Sequence, residues 1–159
     1  MAQVRNPVID YPTAGIPSID KLNARLDSSE SRLRQALMNG IIDRGQPLRE
    51  DELDFLPELE GFDLGHSYQA LIEKQVLVRK DGEVLFVYPV SALPTQHRVS
   101  LADGRCFHAM CAIDAMGSAF VFRQDVEISS RCAFCDVSVE LAIRGGEILR
   151  QDPPETHVL

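Results

Sequence analysis

The chain has 159 residues, 45% of them hydrophobic and 25% charged, the balance of a folded globular protein with one domain or two small ones. Its net charge of −8 argues against a general nucleic-acid binder or a protein drawn to anionic membranes. No apolar run approaches the ~20 residues that span a bilayer, and the N-terminus lacks the apolar stretch of a secretory signal, so a cytoplasmic, reducing location is expected.

Residues 1–16 contain Pro7, Pro12 and Gly15 without a sustained period and read as an irregular arm. A short helix is expected from Pro17 to near Leu26. The next helix has candidate caps in Ser28, Ser29 and Ser31, and Leu33, Leu37 and Ile41 recur every four residues on one face. Gly45 and Pro47 end it. Arg49 to Leu56 reads as a short acidic helix stopped by Pro57. Asp63 opens another, with Leu64, Tyr68, Leu71 and Ile72 as its buried stripe. The period then changes to two: Val76 to Tyr88 alternates on either side of Asp81-Gly82, a hairpin signal.

Helices followed by a two-stranded wing give residues 17–92 the plan of a winged-helix-like module. Such a fold does not fix function. Residues 1–92 carry 10 Lys and Arg against 15 Asp and Glu, and the would-be recognition helix near 63–75 offers Lys74 and His66 against Asp63 and Glu73. A helical lid and packing module is therefore the preferred reading over DNA binding.

Beyond a joint at Ser91–Pro94, His97–Leu101 and Arg105–His108 are expected as strands joined by an Ala102-Asp103-Gly104 turn. Residues 109–116 are expected as a short helix ended by Gly117. Two further strands, near 126–130 and 137–143, flank a Cys132–Cys135 turn. Gly145-Gly146 makes another turn, and the tail from Asp152 is expected to be loose.

All four cysteines, Cys106, Cys111, Cys132 and Cys135, fall between Arg105 and Asp136. In a reducing compartment such a cluster reads as metal-binding or catalytic rather than as disulfides. On a helix, a spacing of three puts Cys111 and Asp114 on one face. Cys111 would sit in the first turn, where free N–H groups and the dipole favour a thiolate able to bind a soft cation. Asp114 would then hold or pass a proton. The plain alternative is a buried free cysteine and an aspartate that only caps the helix.

Cys132-x-x-Cys135 is half of a tetrahedral zinc site. With Cys106 and Cys111 about 20 residues upstream it approaches a four-cysteine zinc ribbon, so structural zinc leads for this pair. A redox pair usually opens a helix in a βαβ setting, whereas this one lies between strands. His108 could be a ligand or a hydrogen-bond partner, but more often such a residue is a half-buried strand position. His66, His97 and His157 have no informative spacing. Phe107, Phe120, Phe122 and Phe134 are expected to pack around the site and keep it dry.

His97-Arg-Val-Ser-Leu-Ala-Asp-Gly-Arg followed by Phe107-His-Ala-Met-Cys-Ala-Ile-Asp-Ala-Met-Gly resembles the organomercurial (alkylmercury) lyases. Those enzymes have a similar HR-x-x-L-x-DGR strand pair, then an aromatic residue and an alanine ahead of a C-A-x-D helix. Ile128-Ser-Ser-Arg-Cys132 resembles the strand that ends in a further family cysteine. The likeness spans residues 95–145.

The resemblance implies protonolysis of a carbon–mercury bond with no added cofactor. Cys111 stands at the family's first catalytic cysteine and Asp114 at its catalytic aspartate. It also implies an organomercurial and cellular thiols as small-molecule partners and Hg(II) as bound product, removed by external thiols or a mercuric reductase. The fold class it implies is α+β, with the winged-helix-like part followed, over 93–159, by an alkylmercury-lyase-like domain: a small mixed β-sheet carrying the short Cys-bearing helix. The family's second catalytic cysteine falls beyond the segment ending at Leu159 and has no match. The chain is then expected either to be a short form or to lack a C-terminal part, with Cys132, Cys135 or Cys106 as candidates for the second sulfur. A metal-binding protein or regulator on the same fold, without catalysis, is the alternative expectation.

Overall fold

A computed structural model describes residues 25–158. The expected arm, and all but the last two residues of the helix expected from Pro17 to Leu26, lie outside these residues.

Helix α1 (Ser28–Arg44) starts at Asp27, not at a serine. The Glu30 amide donates to Asp27 Oδ1 at 2.8 Å and the Asp27 amide donates to Glu30 Oε2 at 2.9 Å, a reciprocal capping box. Asp27, unlike the three serines, has an acid three residues on, and that partner decides the start. Glu30 also receives Lys74 Nζ at 2.5 Å. Leu33, Leu37 and Ile41 are buried as expected, and Gly45, at φ 66°, ends the helix.

After β1 (Leu48–Arg49), the expected acidic α-helix is instead two 3-10 turns, Glu50–Phe55 and Pro57–Leu59. Pro57 opens the second of them, its missing N–H costing nothing at a first position. Helix α2 (Leu64–Glu73) is capped by Asp63, which accepts from the Gly65 amide at 3.1 Å. Strands β2 (Leu77–Lys80) and β3 (Glu83–Val87) turn through Asp81 and Gly82, both with positive φ, as a two-residue hairpin of this hand requires.

The remaining elements are β4 (Val90–Ser91), β5 (His97–Leu101), β6 (Cys106–Ala109), α3 (Ala112–Phe122), β7 (Val126–Arg131), β8 (Ser138–Arg144) and β9 (Glu147–Asp152). Among the described residues, nine strands form one sheet in the order β1-β3-β4-β6-β5-β7-β8-β9, with β2 on the other side of β3. Every pairing is antiparallel, where a mixed sheet was expected. Most neighbours are joined by short turns, which only antiparallel strands can use. The α3 crossover brings β7 beside β5 rather than beside β6, so the two strands that share a direction never pair. The β2–β3 hairpin, expected as a wing, continues through β4 into the sheet that carries the cysteines.

Helix α3 differs from expectation at both ends. It begins after Cys111 and runs through Gly117 to Phe122, ending where Arg123 takes φ 50°. A mid-helix glycine costs about 1 kcal/mol, which the burial of Ser118, Ala119 and Phe122 offsets. Phe122 packs on Phe107 with ring centroids 5.4 Å apart. Strand β9 was not legible: Glu147–Asp152 has little alternation and is exposed along most of its length. The tail is not loose either, because the Gln151 side-chain amide donates to the carbonyls of Pro154 at 2.8 Å and Thr156 at 2.5 Å.

The Asp103-Gly-Arg105 motif is a structural knot. Arg105 donates to Asp103 Oδ2 from Nε and to Asn39 Oδ1, both at 3.0 Å, while Gln124 Nε2 reaches the same Asp103 oxygen at 3.0 Å. It thus ties the β5–β6 turn to α1 and to the end of α3. Arg105→Ala is expected to lower unfolding free energy by about 1–3 kcal/mol, read as an earlier denaturant midpoint at unchanged slope.

Alternation along the strands sorts side chains to two faces. The face under α3 carries His97, Val99, Phe107, Ala109, Ile128 and Ser130, which are register partners of one another. Arg98, Cys106 and His108 lie on the other face, against the end of α1 at Ile41 and Ile42. Among the described residues, no helix is long and apolar enough to cross a membrane.

Candidate active site

Cys111 follows β6 in extended conformation and caps α3, its Sγ accepting from the Asp114 amide at 3.4 Å. The residue is exposed, whereas Asp114 is only 5% exposed. The geometry therefore keeps the expected pair together, with the sulfur at the surface and the carboxyl beneath it.

The charge state differs from expectation. Partial burial is the main cause that pushes the Cys111 thiol up. The Asp114 amide pulls it down, but the Asp114 charge and the hydrogen bond the thiol gives that carboxylate push it up again. The thiolate expected from the helix N-terminus is thus disfavoured, because partial burial outweighs what the helix amides return and the neighbouring acid adds to it. Burial also raises Asp114 above the usual carboxylate range, against hydrogen bonds from Cys111 and Tyr88 and the charge of His97. Both members of the couple are thus shifted toward their protonated forms.

Tyr88 and His97 complete this centre, and sequence reasoning assigned neither a role. The Tyr88 hydroxyl donates to Asp114 and is pushed up first by burial, then by the charges of Asp114 and Cys111. Arg34, buried in α1, fixes the Tyr88 backbone by donating to its carbonyl from Nε at 3.0 Å and Nη2 at 2.8 Å. Burial lowers the Arg34 guanidinium to about 10. His97 has Nδ1 3.0 Å from Ser130 Oγ, and burial holds its imidazole down while Asp114 opposes this. His97 lies in the quoted strand motif, so a signal existed for it. Tyr88 ends an ordinary alternating strand and had none.

The register brings Cys132 toward Cys111. His97 pairs with Ala109 on one side and Ser130 on the other. Strands β6 and β7 run in the same direction with β5 between them, a separation of about 10 Å at two strand spacings. Cys111 and Cys132 each lie two residues further on, so both leave the sheet at the same end, flanking His97.

Cys132 and Cys135 are held by a tight turn, as expected. The Asp136 amide donates to the Cys132 carbonyl at 2.9 Å, the Cys132 amide to that of Val137 at 2.9 Å, and Arg131 grips Asp136 through two contacts of 2.7 and 2.6 Å. Backbone amides of Cys135 and Phe134, then the Cys135 thiol, lower the Cys132 thiol.

Cys106 is elsewhere. It projects from the face opposite α3, with Arg98 Nη2 3.5 Å from its sulfur. A period of two sends Cys106 away from the side on which α3 lies, so the four thiols of the expected zinc ribbon are not assembled. Among the described residues, no three His, Cys, Asp or Glu side chains are grouped to hold a metal ion. His108 is a hydrogen-bond partner of the Thr95 backbone, its Nδ1 3.1 Å from the carbonyl oxygen and 3.2 Å from the amide. Phe107 and Phe122 pack in the core as expected, and Phe120 partly so. Phe134 does not, being 98% exposed, because it sits at the tip of the cysteine turn.

A cleft of about 590 Å³ opens beside this centre, between His97, Ala112, Met116, Ile128, Cys132 and Phe134, and the tail residues His157 and Val158 close one side. Its walls are mainly apolar, and its size is that of a small-molecule site.

A thiol–carboxyl couple at a helix cap and a further thiol pair thus lie at the same end of the antiparallel sheet of an α+β protein. Residues 90–159 match the family model described as alkylmercury lyase, and the resemblance seen in the sequence is borne out over this stretch. Among solved structures, the mercury-bound form of MerB2 is similar at 25% sequence identity and a TM-score of 0.63, over 85% of this chain and 65% of that one. The chain thus spans less than two thirds of the length of that relative. No curated protein matches the sequence.

Proposed function

We propose that the protein is an alkylmercury-lyase-like enzyme that cleaves a carbon–mercury bond by protonolysis. The observation that carries this reading is the hydrogen-bonded Cys111–Asp114 couple, beside a cleft lined by its neighbours His97 and Ala112, within the stretch that matches the lyase family. An organomercurial thiolate exchanges onto Cys111, and the displaced thiol leaves with the Cys111 proton. Cys132 then supplies the second sulfur, since Cys106 faces away; its proton passes to Asp114 as its sulfur binds mercury. Two thiolates weaken the bond from mercury to carbon, and Asp114 returns the proton to that carbon. The hydrocarbon departs, leaving Hg(II) between two sulfurs.

Tyr88 keeps Asp114 oriented, and the apolar cleft receives the organic group. No added cofactor takes part. Cellular thiols, or a mercuric reductase, remove the metal ion, in a cytoplasmic setting that keeps the cysteines reduced. In this reading residues 25–92 act as a packing module whose Arg34 and Tyr88 support Asp114 of the lyase-like part at 93–159.

Reduced, metal-free protein incubated with methylmercury and excess thiol is expected to release methane over many turnovers. One tightly held metal ion per chain with no methane would instead support a metal-binding protein without catalysis.

A further inference from the structure

The catalytic reading leaves Cys106 and Cys135 with no task in bond cleavage, and of the two only Cys135 shares a turn with Cys132. Cys135 lies at the far end of the turn from Cys132 and is exposed, yet the turn around it is built with care. It is closed by two backbone hydrogen bonds and by the paired contacts of Arg131 with Asp136. Asp136 takes a positive φ of 57° to complete it, a conformation that aspartate adopts more readily than most residues. The Cys132 carbonyl accepts from an amide four residues on, so the segment makes one helical turn with its two sulfurs on the same side, and the thiols hydrogen-bond each other.

Among the described residues no third His, Cys, Asp or Glu joins these two sulfurs to hold a metal ion, and a two-sulfur site does not suit zinc, which takes four ligands. It suits a soft cation that is content with two thiolates in a line, as mercuric ion is. Position adds a direction. Cys132 lines the cleft and leaves the sheet at the Cys111 end, while Cys135 stands outward of it.

We propose that Cys132 and Cys135 form a two-thiol exit site that takes mercuric ion from Cys111 and presents it to thiols outside. This rests on the lyase reading for the source of the ion. After cleavage the ion lies between Cys111 and Cys132. The Cys135 sulfur attacks mercury, its Hg–S bond forms as that to Cys111 breaks, and the Cys135 proton ends on the Cys111 sulfur. Nothing is oxidised or reduced. Cys111 and its neighbour Asp114 are thereby reset for another substrate, and the ion waits at an exposed turn.

The test has two arms. In the first, Cys135→Ser is compared with the unaltered protein on methylmercury, with external monothiol at about 0.1 mM. An intramolecular thiol acts at an effective concentration on the order of 1 mM, so steady-state methane release is expected to fall about tenfold. The first-turnover burst keeps its rate, and a small dithiol restores the steady state. Equal steady-state rates would overturn the relay.

The second arm needs no lyase activity: Cys111→Ser is titrated with mercuric chloride against a monothiol competitor, following thiolate–mercury absorption. One equivalent is expected to resist the competitor, and to be lost when Cys135→Ser is added. Failure of Cys111→Ser to hold the ion would overturn the site. Absence of methane from the unaltered protein, with the ion still held here, would sink the lyase reading alone.

Discussion

Asp114→Asn is expected to stop methane release from methylmercury while leaving mercuric ion bound. A positioned proton donor contributes about 10²–10⁴-fold to such a step, and an amide of the same shape has no proton to give. Shape is retained: the amide that Asp114 donates to Cys111 Sγ belongs to the backbone, and the Asn side chain can still accept from Tyr88. The ligand sulfurs are untouched, so the ion stays. Turnover in this variant at more than a tenth of the normal rate would sink the proton-relay role.

The pH dependence has a definite shape. The working form holds one proton between Cys111 and Asp114, both raised mainly by burial. Activity is expected to fall on the acid side as Asp114 is protonated as well, and on the alkaline side as Cys111 loses its proton. The two limbs belong to the couple rather than to either residue alone. Stability follows the raised carboxyl with the opposite benefit. The folded state holds this proton to higher pH than the unfolded chain does, so stability falls as pH rises from the ordinary carboxylate range through the raised value. Asp114→Asn removes that penalty and is expected to be no less stable than the natural protein at neutral pH, as denaturant unfolding at two pH values would show.

Cys111→Ser is expected to remove turnover by on the order of 10³-fold or more, because a hydroxyl oxygen is a poor ligand for a soft cation. The same change spares the fold. Cys111 is the α3 cap, and serine is among the preferred residues there, so the melting midpoint should hold or rise. Cys106→Ser is the matched control. Its sulfur lies on the other face beside Arg98, and its loss is expected to leave turnover within about twofold. If Cys106→Ser were as damaging as Cys111→Ser, the second sulfur would have been wrongly given to Cys132.

Much of the local structure was legible. Period-four leucines placed α1, Asp81-Gly82 placed the first hairpin, and the turn holding Cys132 and Cys135 lies where alternation on either side put it. Errors arose where a local preference was outweighed. Gly117 is a plausible helix end, but Phe122 buries against Phe107 one turn later and carries the helix on. Three serines looked like caps, but the acid at Glu30 selected Asp27. Strand β9 had no pattern because an edge strand exposed along most of its length needs none.

The site divides in the same way. Sequence alone put Cys111 and Asp114 side by side, since three residues along a helix is a fixed distance whatever surrounds it. It also determined that Cys132 and Cys135 share a turn, and that this stretch resembles an alkylmercury lyase. Only the tertiary structure decided which sulfur stands near which. The pairing of β5 with both β6 and β7 sends Cys111 and Cys132 to one end of the sheet, and the strand period sends Cys106 to the opposite face. It decided too that Tyr88 and His97 stand beside Asp114 and that burial pushes the Cys111 thiol up. Those outcomes depend on burial and on charges from distant segments, and no spacing along the chain encodes them.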